Sequence, residues 1–161
     1  MTATTGLPSG MPERQRLELR ARRGAGWFFW IAAVSVINSV ILITGGGRTF
    51  VLGLGITQVV EGVAAALEQG LAGPGPLRFL ALGLNVLVAI LIGLIGRQAR
   101  KGSVAIYGFG LVLYTLDGLL LLVFADWIGV VFHAIALAFM TSGFLALRKV
   151  SRGQAATLPP S

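Results

Sequence analysis

The chain has 161 residues, of which 55% are hydrophobic and only 12% are charged, and its mean hydropathy is +0.85. Soluble domains are roughly 45–50% apolar and about 25% charged, and one of this size cannot bury four long apolar blocks in a single core. The same composition excludes disorder for most of the chain. We therefore expect an all-α, polytopic integral membrane protein whose immediate surroundings are the lipid bilayer.

The net charge of +7 is concentrated near the apolar blocks. Eleven of the thirteen Lys and Arg residues lie in three clusters, Arg14–Arg23, Arg97–Lys101 and Arg148–Arg152. Membrane proteins retain basic residues on the cytoplasmic side, so this pattern encodes topology. No nucleic-acid motif accompanies the charge, and we expect no nucleic-acid partner. The absence of cysteine excludes disulfides, thiolate nucleophiles and cysteine-ligated metals.

Residues 1–24 are predicted to form a cytoplasmic N-terminal tail that is basic near the membrane. We expect disorder over residues 1–12, and the basic segment 13–23 forms either a short helix against anionic headgroups or a simple signal that fixes orientation. The first span, at about residues 25–45, begins with an aromatic belt at Trp27–Trp30. Its full length and long basic lead indicate an uncleaved anchor rather than a signal peptide.

Three more apolar segments follow, at about residues 77–96, 104–125 and 127–147. Each holds the roughly 20 residues that a helix needs to cross about 30 Å of hydrocarbon. Asp126 and Trp127 mark a very tight turn between the last two spans. The membrane domain therefore covers residues 25–147, with a four-helix bundle as its expected form, and residues 148–161 form a cytoplasmic C-terminal tail.

Residues 50–69 are apolar enough to be taken for a fifth span, but charge placement argues against one. Four spans put eleven basic residues inside and two outside, whereas five spans split them six and seven, so the positive-inside rule selects four. A polar stripe follows helical spacing along this segment, formed by Thr57, Glu61, Ala65 and Glu68 with Gln58 alongside. The pattern predicts an amphipathic helix on the outer side, which either lies flat in the interface or re-enters and packs on the bundle.

Each predicted span carries one strongly hydrogen-bonding side chain, and these are Asn38, Asn85, Asp117 and His133. Counted from the outer ends of the spans, all four lie about 10–13 Å deep. An antiparallel hairpin that turns near Asp126 sets Asp117 opposite His133. A lone carboxylate in hydrocarbon costs at least about 2.5 kcal/mol, so we expect these two to form an ion pair or, preferably, to share a proton between neutral groups.

This polar layer has three interpretations. Its members either hold neighbouring helices together through hydrogen bonds, or form a solute or proton site, or form a catalytic or metal site. One His and one carboxylate fall short of the usual zinc ligand set, and Glu61 completes such a set only if the outer helix folds down over the bundle. In that position, Gln58 and Glu61 form an outer lid. We predict neither a metal nor another cofactor.

Three functions remain open at this point. The first is a non-enzymatic accessory or scaffold subunit, the second is a small carrier or proton-coupled transporter that uses Asp117 and His133, and the third is a lipid-directed membrane enzyme. Small residues also recur along the second, third and fourth spans, which indicates tight packing within the monomer or a seam for a second copy or a membrane-protein partner.

Overall fold

The computed structural model describes residues 11–44, 54–69 and 75–156. Over these ranges the chain is all-helical, with no strand, and its elements are α1 (Glu13–Ile43), α2 (Gly55–Leu67), α3 (Pro76–Arg100), α4 (Val104–Val123) and α5 (Trp127–Ala156). All except α2 are long and apolar enough to cross a membrane. The expected all-α fold, with four candidate spans and one shorter apolar helix, is therefore confirmed.

Local chemistry explains several helix ends. Pro76 starts α3, where its missing N–H and fixed φ are tolerated, and the Ser103 side chain caps α4 by accepting a hydrogen bond from the Ile106 N–H. Between α4 and α5 the chain reverses over three residues, and Ala125 adopts the left-handed region with φ of 53°. Asp126 then caps α5, because its Oδ1 accepts from the Gly129 N–H at 3.0 Å. The tight turn fixes how α4 and α5 face each other.

The four long helices form a ring in which sequence neighbours run antiparallel. α1 lies against α3 and α5, and α4 packs on the other side of both. All three basic clusters lie at one end of this ring, which we call the basic end. The opposite end, where α1 stops, α3 starts and α4 turns into α5, is called the distal end. α2 packs against α3 and α4 in the distal half.

Two segments predicted as tails are helical. α1 already begins at Glu13 and α5 continues to Ala156, so the basic segment 13–23 is no separate helix at the membrane surface. The N-terminal extension packs on the bundle, because Ala21 is buried in the same core cluster as Leu147, the last residue of the predicted fourth span. Of the segment 1–12 that is predicted to be disordered, residues 1–10 lie outside the described residues.

Contact between two glycines sets the closest approach of α1 and α5. A Cβ built on Gly143 lies 2.7 Å from the Gly24 Cα atom and 2.5 Å from the hydroxyl of Tyr107. That hydroxyl donates a 2.9 Å hydrogen bond to the carbonyl of Met140. Helices in lipid gain little from burying apolar surface, so close backbone contact of this kind is a main source of association. Among the small residues of the predicted fourth span, Gly143 therefore serves packing within the monomer.

Candidate functional site

The polar face of α2 points into the bundle. Its buried polar side chains are Thr57, Glu61 and Glu68. Most of its outward side chains are apolar, and Ile56 and Leu67 are 45% and 70% exposed. A helix that lies flat in a water interface needs the reverse orientation, with polar groups in water and apolar groups in lipid. The flat arrangement is therefore wrong, and α2 follows the alternative in which it packs on the bundle.

Asp117, a residue of α4, caps the N-terminus of α2. Its Oδ2 accepts a hydrogen bond from the Gly55 N–H at 2.7 Å, and its Oδ1 accepts one from the Ile56 N–H at 2.9 Å. The first N–H groups of a helix have no partner inside the helix, and the helix dipole adds partial positive charge there. Ser35 Oγ of α1 accepts a third hydrogen bond, from the Leu54 N–H, at 3.1 Å. The buried start of α2 is thus satisfied by side chains of two other helices.

His133, a residue of α5, contacts the same carboxylate of Asp117. Its Nε2 lies 2.9 Å from Asp117 Oδ2, and its Nδ1 lies 3.0 Å from the carbonyl oxygen of Gly129. A carbonyl oxygen only accepts, so Nδ1 carries a hydrogen. One further proton must then lie between Nε2 and Oδ2, on either atom, because a bare nitrogen lone pair would repel a carboxylate. The pair is neutral overall in both arrangements.

The imidazole of His133 packs against two residues of α4. The ring of Tyr114 stacks on it with centroids 4.4 Å apart and an interplanar angle of 13°. One turn further along α4, Gly118 leaves room for the imidazole, since a Cβ there lies 3.3 Å from His133 Cδ2. A tyrosine face attracts a cation, which favours the arrangement with the proton on the imidazole. The stacked geometry fixes the ring where it reaches Asp117.

A second polar network joins α1, α2 and α3. The amide nitrogen of Asn85 donates to Glu61 Oε1 and, at 2.9 Å, to Ser39 Oγ. Ser39 Oγ in turn donates to the carbonyl of Ser35 at 3.0 Å. Burial raises the pKa of the Glu61 carboxyl above its ordinary value, although the nearby Ser39 hydroxyl and the hydrogen bond from Asn85 act in the opposite direction. This network fixes the middle of α2, as Asp117 fixes its start.

Several atoms of the distal half have no hydrogen-bond partner within the described ranges. They include Glu61 Oε2, Asn85 Oδ1, the Tyr114 hydroxyl and both polar atoms of the Asn38 side chain. All are buried. A buried polar atom without a partner loses roughly 1–3 kcal/mol of hydration, so a group of them marks a place where water or a polar solute gains hydrogen bonds.

Glu68 caps the next helix in the same way as Asp117. Its Oε2 accepts from the Gly75 N–H at 3.0 Å, and its Oε1 accepts from the Leu77 N–H at 2.5 Å. The guanidinium of Arg78 lies 3.7 Å from Glu68 Oε2. The end of α2 is thereby tied to the start of α3, so α2 is held at its start, its middle and its end.

The predicted polar layer divides into two networks. The structure brings Asp117 together with His133, and Asn85 together with Glu61, whereas Asn38 forms no hydrogen bond to either network. Glu61, predicted as part of a lid, lies inside the bundle. Gln58 lines an outer groove between α2 and α4. Within the described ranges, no three His, Asp or Glu side chains gather closely enough to hold a metal ion.

Sequence reasoning missed the hydroxyl groups of the first span and the capping role of Glu68. Ser35, Asn38 and Ser39 follow an i, i+3, i+4 pattern and are all buried, so their common face is visible in the sequence. The capping role of Glu68 leaves no comparable signal, because the residues it caps follow a glycine-rich segment whose path a sequence does not give.

The fold and these contacts define a helical bundle with four candidate membrane spans and one short helix capped by side chains of its neighbours. Comparisons of the chain with models of protein families, with curated proteins and with solved structures gave no match.

Proposed function

We propose that this protein is a non-enzymatic integral membrane protein that serves as an accessory or scaffold subunit. The observation that carries the proposal is the engagement of Asp117. Both of its oxygens accept backbone hydrogen bonds from α2, and one also contacts His133. A carboxylate bound in this way holds a helix in position, and it gives up that role if it reacts or exchanges protons with a substrate.

The proposed topology has both termini in the cytoplasm. The three basic clusters lie at the same end of the ring, as the positive-inside rule requires for four spans. The distal end, with α2, then faces the opposite side of the membrane. Single cysteines introduced at Gly102 and Ser151 provide a test, since the chain has no native cysteine. Labelling of either by an impermeant reagent added outside intact cells contradicts this topology.

An outer groove between α2 and α4 is the surface we assign to a partner helix. Its volume is about 460 Å³, and its wall is mainly apolar, formed by residues that include Val59, Val63, Leu121 and Phe124. Gly62 also lines it, and a Cβ at that position meets nothing within 4 Å. A small residue on an open apolar surface lets a second helix approach closely in lipid.

Co-purification from native membranes tests the scaffold role. We expect a stoichiometric protein partner with the unchanged chain, and its loss with Gly62→Trp, which fills the groove. Gly93→Trp is the matched control, because Gly93 of α3 is equally open and lies outside the groove. The absence of a stoichiometric partner, or its equal loss with both variants, overturns the proposal. Recovery of a second copy of the chain identifies the partner as the protein itself.

One observation favours a second candidate, a small proton-coupled carrier. Glu61 Oε2, Asn85 Oδ1 and both polar atoms of the Asn38 side chain are buried, and none of them has a hydrogen-bond partner within the described ranges. Glu61 is then the proton-binding carboxyl, in place of the Asp117–His133 pair. Proton uptake into proteoliposomes that is abolished by Glu61→Gln and retained in Thr57→Ser supports this candidate. No observation favours a lipid-directed enzyme, since the side chains of Asp117 and His133 are only 8% and 2% exposed.

A further inference from the structure

A strongly basic groove lies between α1 and α3 at the basic end. Its volume is about 770 Å³, and it is lined by Leu19, Arg22, Arg23, Phe29, Arg97, Arg100 and Lys101. Five of these seven residues are cations, and none is acidic. Cations brought together without a counter-charge repel one another and attract anions. Glu18 lines the adjoining cavity beside Arg22, Arg100 and Lys101, but it is paired with Arg14 at 3.0 Å, and no carboxylate of the described residues lines this groove. The groove therefore attracts an anion.

The cations of this groove adjoin apolar surface. The guanidinium of Arg100 lies over the ring of Phe29, 4.5 Å from its centroid. Gly26 leaves space for this placement, because a Cβ there lies 3.1 Å from Arg100 Nη2. Leu19 and Phe29 are each 36% exposed and form the apolar part of the wall. Charge and exposed apolar surface thus meet at the level where the apolar part of the span ends.

We propose that this groove binds the phosphate headgroup of an anionic phospholipid from the leaflet at the basic end. Guanidinium groups match phosphate oxygens in paired hydrogen bonds, so Arg97 and Arg100 are the headgroup ligands. Leu19 and Phe29 lie where the acyl chains leave the headgroup. A free phosphate ion uses only the charged half of the groove, which is why the site is assigned to a lipid. Basic pockets between transmembrane helices recognise anionic lipids in this way.

A neighbouring groove offers a matched control. It lies between α1 and α5, has a volume of about 420 Å³, and is lined by residues that include Arg20, Arg148, Lys149 and Arg152. It carries cations at the same end of the bundle. The double variant Arg148→Gln with Arg152→Gln therefore removes as much charge from the basic end as Arg97→Gln with Arg100→Gln.

Native mass spectrometry of the full chain, reconstituted in vesicles and released into mild detergent, measures the lipid that stays bound. The vesicles contain phosphatidylcholine alone, or phosphatidylcholine with phosphatidylglycerol. We expect selective retention of phosphatidylglycerol, a roughly 30-fold loss of affinity in the Arg97/Arg100 double variant, and little change in the Arg148/Arg152 variant. Arg97→Lys, which keeps the charge and loses the paired geometry, is expected to fall between.

Three results overturn the proposal. The first is equal retention of both lipids, and the second is equal loss in the two double variants, which indicates general attraction to the basic end. The third is displacement of phosphatidylglycerol by inorganic phosphate at equal concentration, which shows an ion site without a lipid component. Gel filtration and circular dichroism verify that each variant is folded, and since Arg97 and Arg100 are exposed, their replacement is expected to leave the bundle intact.

Discussion

Replacing Asp117 with Asn tests whether this residue holds α2 in place. The two carboxylate oxygens now accept backbone hydrogen bonds from Gly55 and Ile56, at 2.7 and 2.9 Å. An amide offers one oxygen and one NH₂ group. If the NH₂ group faces His133 it also faces the Gly55 N–H, and if it is flipped it faces the Ile56 N–H. One backbone donor at the start of α2 therefore loses its partner in either orientation.

The expected loss of free energy for the docking of α2 has two contributions. A buried donor left without a partner costs about 1–3 kcal/mol. Loss of the negative charge at a helix N-terminus removes about 0.3–1 kcal/mol more, and up to about 2 kcal/mol in a buried setting. The docking of α2 should therefore weaken by roughly 1.5–4 kcal/mol. A tenfold change corresponds to about 1.4 kcal/mol, so α2 should open roughly tenfold to several hundredfold more often.

Cysteine labelling measures this opening directly. Ala64 of α2 is 7% exposed and faces the bundle, and the chain has no other cysteine to react. Ala64→Cys should therefore react slowly with a membrane-permeable maleimide, and at least about tenfold faster when Asp117→Asn is added. Asp126→Asn is the control, because asparagine caps a helix about as well as aspartate. Unchanged labelling in Asp117→Asn, or an equal rise in both variants, refutes the capping argument.

Three further substitutions have defined outcomes. Gly143→Ala places a Cβ 2.7 Å from the Gly24 Cα atom and should lower the free energy of unfolding in detergent by about 1–3 kcal/mol. Burial raises the pKa of Glu61 above 4.5, so its charged form is the destabilising one, and stability should fall as pH rises above that value; Glu61→Gln should remove this slope in thermal melts. Glu68→Gln leaves one of the two capped amides of α3 unpaired, which should speed hydrogen exchange at Gly75 or in the first turn.

The candidate spans are the part of the fold that the sequence predicts best, because hydrocarbon thickness sets their length and hydropathy marks them. Their ends are predicted less well. The arginines near residue 23 end the apolar pattern, yet the helix continues, because Ala21 of α1 and Leu147 of α5 are both buried in the same core cluster. Charge at a membrane surface limits how far a span extends into lipid, and it does not by itself stop a helix.

The sequence predicts those contacts of the site that a short turn between neighbouring helices determines. A tight hairpin turn sets Asp117 opposite His133, and both are found in contact. The polar stripe of α2 was equally visible, but periodicity shows which residues share a face and not what that face contacts. The direction of the polar stripe depends on Asn85 of α3 and on the side chains that cap the first N–H groups of α2. These groups come together only in the folded bundle.

The need to satisfy backbone groups explains why α2 carries its polar residues inward. The side chain of Asp117 is only 8% exposed, and the N–H groups at the buried start of α2 need acceptors from neighbouring helices. A second substitution at the start of α2 should therefore partly restore the docking that Asp117→Asn weakens. Proline is tolerated in the first turn of a helix and lacks the N–H group, and Ile56 is 45% exposed, so Ile56→Pro removes a donor at low cost. Combined with Asp117→Asn, it lets the amide oxygen face Gly55 while the NH₂ group meets no competing donor. The double variant should therefore label at Ala64→Cys more slowly than Asp117→Asn alone. A rate that equals or exceeds the single variant's shows that the charge of Asp117, and not its hydrogen bonds, secures α2.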